Sequence, residues 1–140
     1  MTRSQMREHI FKLLFVMDFN PADQTDRQES LYFEQVPDDE IDNPPLFATD
    51  EEISYIKDKT NHILKKIPEI DEKINAAAHG WSTGRMARTD LAVLRLAVFE
   101  MQYDADIPTG VAINEAVELA KKYGSSASPA FINGILGKLA

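Results

Sequence analysis

Residues 91–101 read Leu91-Ala92-Val93-Leu94-Arg95-Leu96-Ala97-Val98-Phe99-Glu100-Met101, and only Arg95 and Glu100 interrupt an apolar run. A run this short also suits a strand, but its eleven-residue length and its alanine and leucine content favour a helix. A helix that is apolar on almost every side belongs in the core. The rest of the chain is therefore read outward from one central helix.

Downstream, Pro108 and Thr109 mark the next helix start, and Ile113, Ala116, Val117, Ala120 and Tyr123 line one face as far as Gly124, a natural C-cap. Ser128 followed by Pro129 is the pattern of an N-cap with proline at the first helical position. Phe131, Ile132, Ile135, Leu136 and Leu139 give that last helix its apolar face. Upstream, Ile70, Ile74, Ala77 and Trp81 recur at helical spacing, with Gly80 and Gly84 punctuating the connection that follows. Before them, Ile53, Ile56, Ile63, Leu64 and Ile67 form the stripe of another helix, which Pro68 is expected to end. Thr49 or Asp50 is placed to cap it, and Asp50, Glu51 and Glu52 oppose the positive end of its dipole.

The first segment carries two apolar stripes, Met6, Ile10, Leu13, Leu14 and Met17 on one side and Phe11, Phe15 and Phe19 on another, until Pro21 stops it. A helix with two such faces is either central or touches a partner. A weakly patterned helix is expected around Asp26 to Val36. The expectation is an all-α fold of about seven helices and no strand, with residues 1–140 forming a single domain.

The chain is 44% hydrophobic, enough for a real core, and contains no cysteine. Disulfide scaffolds, cysteine nucleophiles and thiolate metal sites are therefore excluded. The longest purely aliphatic or aromatic run, Leu13-Leu14-Phe15-Val16-Met17, is far short of the roughly 20 residues that cross a bilayer. With no signal-peptide pattern at its start, the chain is expected to be cytoplasmic, with no membrane partner. Net charge is -8, yet residues 21–50 alone hold nine acidic side chains against one basic, so both ends of the chain are mildly basic. That acidic segment, with Pro37, Pro44 and Pro45 around Asp38-Asp39-Glu40, reads as a solvated loop over about 37–50. Overall acidity thus does not rule out nucleic acid.

Catalytic patterns are absent. There is no phosphate-cradling glycine loop and no histidine pair at metal-binding spacing, since His9, His62 and His79 lie far apart. Neither Ser82 nor Ser125 sits in a nucleophile elbow. No catalytic residue, metal or cofactor is expected. Binding has better material. Arg3 and Arg7 lie at i and i+4 on one side of the first helix. Lys121 and Lys122 precede Tyr123 at a helix end, and Phe131 and Asn133 open the last helix. These residues suit a shallow RNA site in which cations neutralise phosphates, an aromatic ring stacks an unpaired base and an amide reads a base edge. They equally suit lysines that complement a helix C-terminus and a phenylalanine in the core.

The stretch from Trp81 to Ala140 resembles the NusB family of transcription antitermination factors. The likeness runs through Trp81, Arg85, Asp90 and Val93-Leu94-Arg95-Leu96-Ala97-Val98-Phe99-Glu100, then Ile107-Pro108 and Val111 to Tyr123, and closes with Ser128 and Phe131 to Leu139. The first helix, with Arg7-Glu8 and Phe15, fits more loosely. The resemblance implies two packed helical bundles and a non-enzymatic role. Such proteins bind boxA-like RNA of nascent ribosomal transcripts together with NusE, a small-subunit ribosomal protein, within the RNA polymerase antitermination complex. Carried over by position, the RNA surface falls on Arg3, Arg7, Asp90, Tyr123, Phe131 and Asn133. The NusE surface falls on Phe15 and the region around Asp90. Asp90 is suited to accept a hydrogen bond from a base amino group or to meet a cation of the protein partner. Arg95 is expected to pair with a carboxylate at the core edge rather than to hold RNA.

Two departures from the family pattern stand out. Only two arginines precede His9 where many members have a longer basic run, and Ala127 stands where some carry an acid. The first implies weak RNA binding alone and tighter binding with NusE. Two other readings compete. One is an RNA-recognition module of an RNA-modifying enzyme, against which the sequence ends directly after its last helix. The other is a helical homodimer with no RNA role.

Overall fold

The structure is a computed structural model that describes residues 1–20, 22–35 and 49–140. Among these residues the chain is all-α, with six helices: α1 (Arg3–Met17), α2 (Thr25–Gln35), α3 (Asp50–Ala77), α4 (Arg88–Tyr103), α5 (Thr109–Tyr123) and α6 (Ser128–Leu139). Single 3-10 turns at Ala22–Gln24 and Thr83–Arg85 complete them. No described helix is long and apolar enough to cross a membrane. Most of the expected acidic loop lies outside the described residues. The chain forms two compact units, Met1–His62 and Ile63–Ala140.

In the first unit, Thr2 and Gln5 form a capping box at the start of α1. The Gln5 amide donates to Thr2 Oγ1 (3.1 Å) and the Thr2 amide to Gln5 Oε1 (2.8 Å). Helix α1 stops when the Asn20 side-chain amide takes the Val16 carbonyl at 2.7 Å. Ile10, Leu13, Leu14 and Met17 are buried as their spacing requires, and Phe11 joins them. Arg7, Glu8, His9, Glu29, Lys59 and Thr60 are buried as well. His9 Nδ1 lies 2.5 Å from the Tyr32 hydroxyl of α2, and the two rings meet edge to face. Burial and the Glu8 carboxylate push the Tyr32 phenol well above its usual range, so it stays protonated.

Thr49 caps α3 in a second reciprocal box. Its hydroxyl accepts the Glu52 amide (3.1 Å), while Glu52 Oε1 accepts the Thr49 amide (3.0 Å). The expectation that Pro68 ends this helix is overturned: α3 runs unbroken from Asp50 to Ala77 with Pro68 inside it. An internal proline costs about 3 kcal/mol, but Pro68 sits on the exposed side. Opposite it, Ile56, Ile63, Ile70 and Ile74 are all fully buried. Each such side chain contributes roughly 1.5–3 kcal/mol, so continuing the stripe past the proline outweighs stopping there. The two helices expected over 50–67 and 70–81 are therefore one.

In the second unit α4 is enclosed as its composition demands, with every residue from Leu91 to Phe99 buried except Arg95. Arg95 makes a two-point contact with Asp71 of α3, Nε to Oδ1 at 3.0 Å and the terminal nitrogen to Oδ2 at 2.8 Å, as expected of a core-edge arginine. Helices α5 and α6 pack on α4 and on each other. Buried Ala112, Ala116 and Ala120 keep the α5 side of that packing thin. The loop after α5 is tight: a Cβ at Gly124 would lie 2.5 Å from Ser128 Oγ and 2.8 Å from the Ala120 carbonyl. Ser128 is the first residue of α6 rather than its cap, and its hydroxyl accepts the Ser125 amide at 3.0 Å.

Two outcomes test this packing. Gly124→Ala should lower stability by about 1–3 kcal/mol, as overpacking against backbone does, read by urea denaturation. Burial raises the Glu29 carboxyl above its usual range, against the opposing pull of Lys57. A carboxyl shifted in that direction favours the fold when protonated and loses that contribution as pH rises through its folded value. Glu29→Gln should therefore raise Tm at pH 7, with the gain vanishing below about pH 4, where free glutamate is itself protonated.

Candidate nucleic-acid interface

The short turn around Gly124 joins the end of α5 to the start of α6 and so brings the C-terminal candidates into one region. Lys121 and Lys122 occupy the last turn of α5, where cations offset the exposed carbonyl ends. Both are exposed. Lys121 meets Glu118 at 3.1 Å on the open surface, a pairing worth under about 1 kcal/mol and readily exchanged for another anion. Lys122 Nζ sits 5.4 Å from the centre of the half-buried Tyr123 ring. One turn into α6, Phe131 is half-buried and Asn133 exposed. Cations, two aromatic rings and an amide thus share one end of the unit.

Phe131 does not stand alone, because Trp81 meets it edge to face with 6.1 Å between ring centres. The helical spacing of Ile70, Ile74 and Ala77 places Trp81 in the core, but the structure places it at the surface with 55% exposure. The reason is Gly80, whose φ of +82° turns the chain out of line after α3 ends at Ala77. That glycine is the signal in the sequence, since it stands directly before Trp81 and interrupts the stripe there.

The first unit holds the remaining candidates. Arg3 is exposed in the first turn of α1, whereas Arg7, one turn on, is only 7% exposed. Helical spacing puts the two on one side of α1 but does not give them the same access to solvent. Phe15 is half-buried and meets Phe19 edge to face at 5.1 Å, and Phe19 is 61% exposed. The second apolar stripe therefore emerges step by step from buried Phe11 to open Phe19. Asp90, in the first turn of α4 in the second unit, is buried, and its Oδ1 has no hydrogen-bond partner among the described residues. His62 and His79 are exposed, and no cluster able to hold a metal ion occurs among the described residues.

Residues 4–140 match the model of the NusB family. The chain belongs to the NusB family. A transcription antitermination protein NusB from Agathobacter rectalis is 48% identical over 140 residues, covering all of both chains. Among solved structures, T. maritima NusB is 31% identical with a TM-score of 0.81, covering 100% of this chain and 91% of that one. A complex of antitermination factors NusB and NusE with double-stranded RNA contains a chain 22% identical, with a TM-score of 0.74 and coverage of 98% and 94%. That likeness concerns the fold.

The ring pair gives a direct check on this region. Trp81 is the single tryptophan of the chain, so Phe131→Ala should shift the protein's emission to longer wavelength while Phe131→Tyr leaves it in place. Fluorescence spectra of the folded variants read this.

Proposed function

We propose that this chain is a transcription antitermination factor that binds boxA-type single-stranded RNA of nascent ribosomal transcripts jointly with NusE, assisting RNA polymerase in reading through terminators. It acts by binding and not by catalysis, in the cytoplasm where transcripts are made, with residues 1–140 working as one domain. Membership of the family, with full-length relatives named for antitermination, supports the role. The observation that carries RNA contact is the gathering of Lys121, Lys122, Tyr123, Phe131 and Asn133 about one helix–helix junction.

In this reading Lys121, Lys122 and the exposed Arg3 neutralise phosphates, and Phe131 and Tyr123 offer ring faces to unpaired bases. Asn133 supplies a donor and an acceptor to a base edge. Arg7 lies on the same side of α1 as Arg3 but is buried, so the phosphate contact at this helix falls to Arg3. Phe15 and Phe19 form the apolar surface for NusE, and Asp90 enters this reading only through the start of α4 that it occupies, since its carboxylate is buried. The exposure of Phe19 also favours a second reading, a homodimer through α1. Light scattering separates the two, since such a dimer should dissociate when NusE is added.

Filter binding of a boxA-type RNA, with and without NusE, tests the proposal. Binding should be tighter with NusE. Lys121→Ala/Lys122→Ala should weaken it and lower the salt slope by about 1.4, two single-strand phosphate contacts. Phe131→Ala should cost about 1–3 kcal/mol of stacking. Equal affinity with and without NusE, or an unchanged slope in the lysine variant, contradicts the division of labour.

A further inference from the structure

Next to Phe131, within the same unit, lies an open hollow of about 390 Å3 lined by Asn75, Gly80, Trp81, Ser82 and Arg85. Its volume falls near the lower end of the ~300–1,000 Å3 of small-ligand sites, which suits one nucleotide. The sequence around it is unusual for so acidic a chain: residues 73–89 contain Lys73, Arg85 and Arg88 and no aspartate or glutamate. Resting on the RNA reading above, we propose that this hollow holds one further unpaired nucleotide of the bound RNA, its base on the Trp81 ring and its phosphate on the Arg85 guanidinium.

Each wall supplies what a nucleotide needs. Trp81 uses its contact with Phe131 as a brace and keeps more than half its surface open, and a wide aromatic face stacks any base. Arg85, in the 3-10 turn Thr83–Arg85, is exposed, and among the described residues its guanidinium has neither an ion pair nor a hydrogen bond. An arginine in that state matches phosphate without first breaking another contact. Arg88 adds positive charge alongside, its guanidinium donating to the Gly84 carbonyl at 3.2 Å. Asn75 is held by its carbonyl, which accepts the Thr83 amide at 2.8 Å, so its NH2 group keeps both donors for a base edge or ribose hydroxyl. The ring contact between Trp81 and Phe131 makes the hollow continuous with the lysine–aromatic cluster, so a strand stacked on Phe131 reaches Trp81 with its next base.

The test uses the full chain with a boxA-type RNA, a uridine 12-mer and an abasic ribose-phosphate 12-mer. Both RNAs should quench Trp81 emission, and the abasic strand should bind weakly without quenching it. In filter binding, Arg85→Ala should weaken RNA affinity about fivefold and lower the salt slope by about 0.7, one phosphate contact. Trp81→Ala should weaken affinity at least fivefold and Trp81→Phe much less, with circular dichroism confirming that each variant is folded. Arg85→Ala carries the test if the tryptophan variant fails to fold. Unchanged affinity and slope in Arg85→Ala, while Phe131→Ala still loses binding, overturns the hollow and leaves the RNA function standing. Trp81→Ala that loses NusE but keeps RNA assigns the hollow to protein and also overturns it. A wild-type chain that binds none of these RNAs, with or without NusE, overturns the function itself.

Discussion

The second unit depends on the enclosure of α4. A helix with almost no polar side cannot rest on the surface, so neighbours must cover it from several directions. Helices α5 and α6 do so closely because α5 presents alanines there. The short Gly124 turn between those two helices follows from that close packing, and with it the meeting of Lys121, Lys122 and Tyr123 with Phe131 and Asn133. The arrangement of the surface cluster is thus a by-product of how a greasy helix is buried. The single arginine in that helix is tolerated because Asp71 meets it with matched two-point geometry at the core edge.

Much of this was legible in residue order. The all-α class, the burial of 91–99, the role of Arg95, the cap at Gly124 and a cap at Thr49 or Asp50 all follow from periodicity and local chemistry, and the structure selects Thr49. What failed shares one physical cause: local rules describe a chain segment, and burial is decided by what packs against it. Pro68 is a helix stop in an isolated peptide, yet the buried isoleucines beyond it, Ile70 and Ile74, extend the stripe begun by Ile56 and Ile63 and carry the helix through it. Arg3 and Arg7 share a side of α1, yet spacing specifies direction and not depth, and only Arg3 reaches solvent.

The candidate site was legible in kind rather than in extent. Residue type and family likeness point to the lysines, Tyr123, Phe131 and Asn133. Trp81 and Arg85 stood in the same stretch without an assigned part, because counting along a helix sent Trp81 to the core. The positive φ at Gly80 redirects it outward and opens the hollow beside it. Similarly, the graded exposure of Phe11, Phe15 and Phe19 appears only when α1 is seen against its neighbours.

The first unit encloses Arg7, Glu8, His9, Glu29, Lys59 and Thr60 beside its aliphatic side chains. An oily interface forgives sliding, because one methyl group replaces another at little cost. Ionisable groups do not, since a shift of a single turn between α1 and α2 would separate His9 from Tyr32 and strand charges away from water. The buried polar groups of this unit thus specify one alignment of α2 against α1, the helix whose far end carries Phe15 and leads into Phe19.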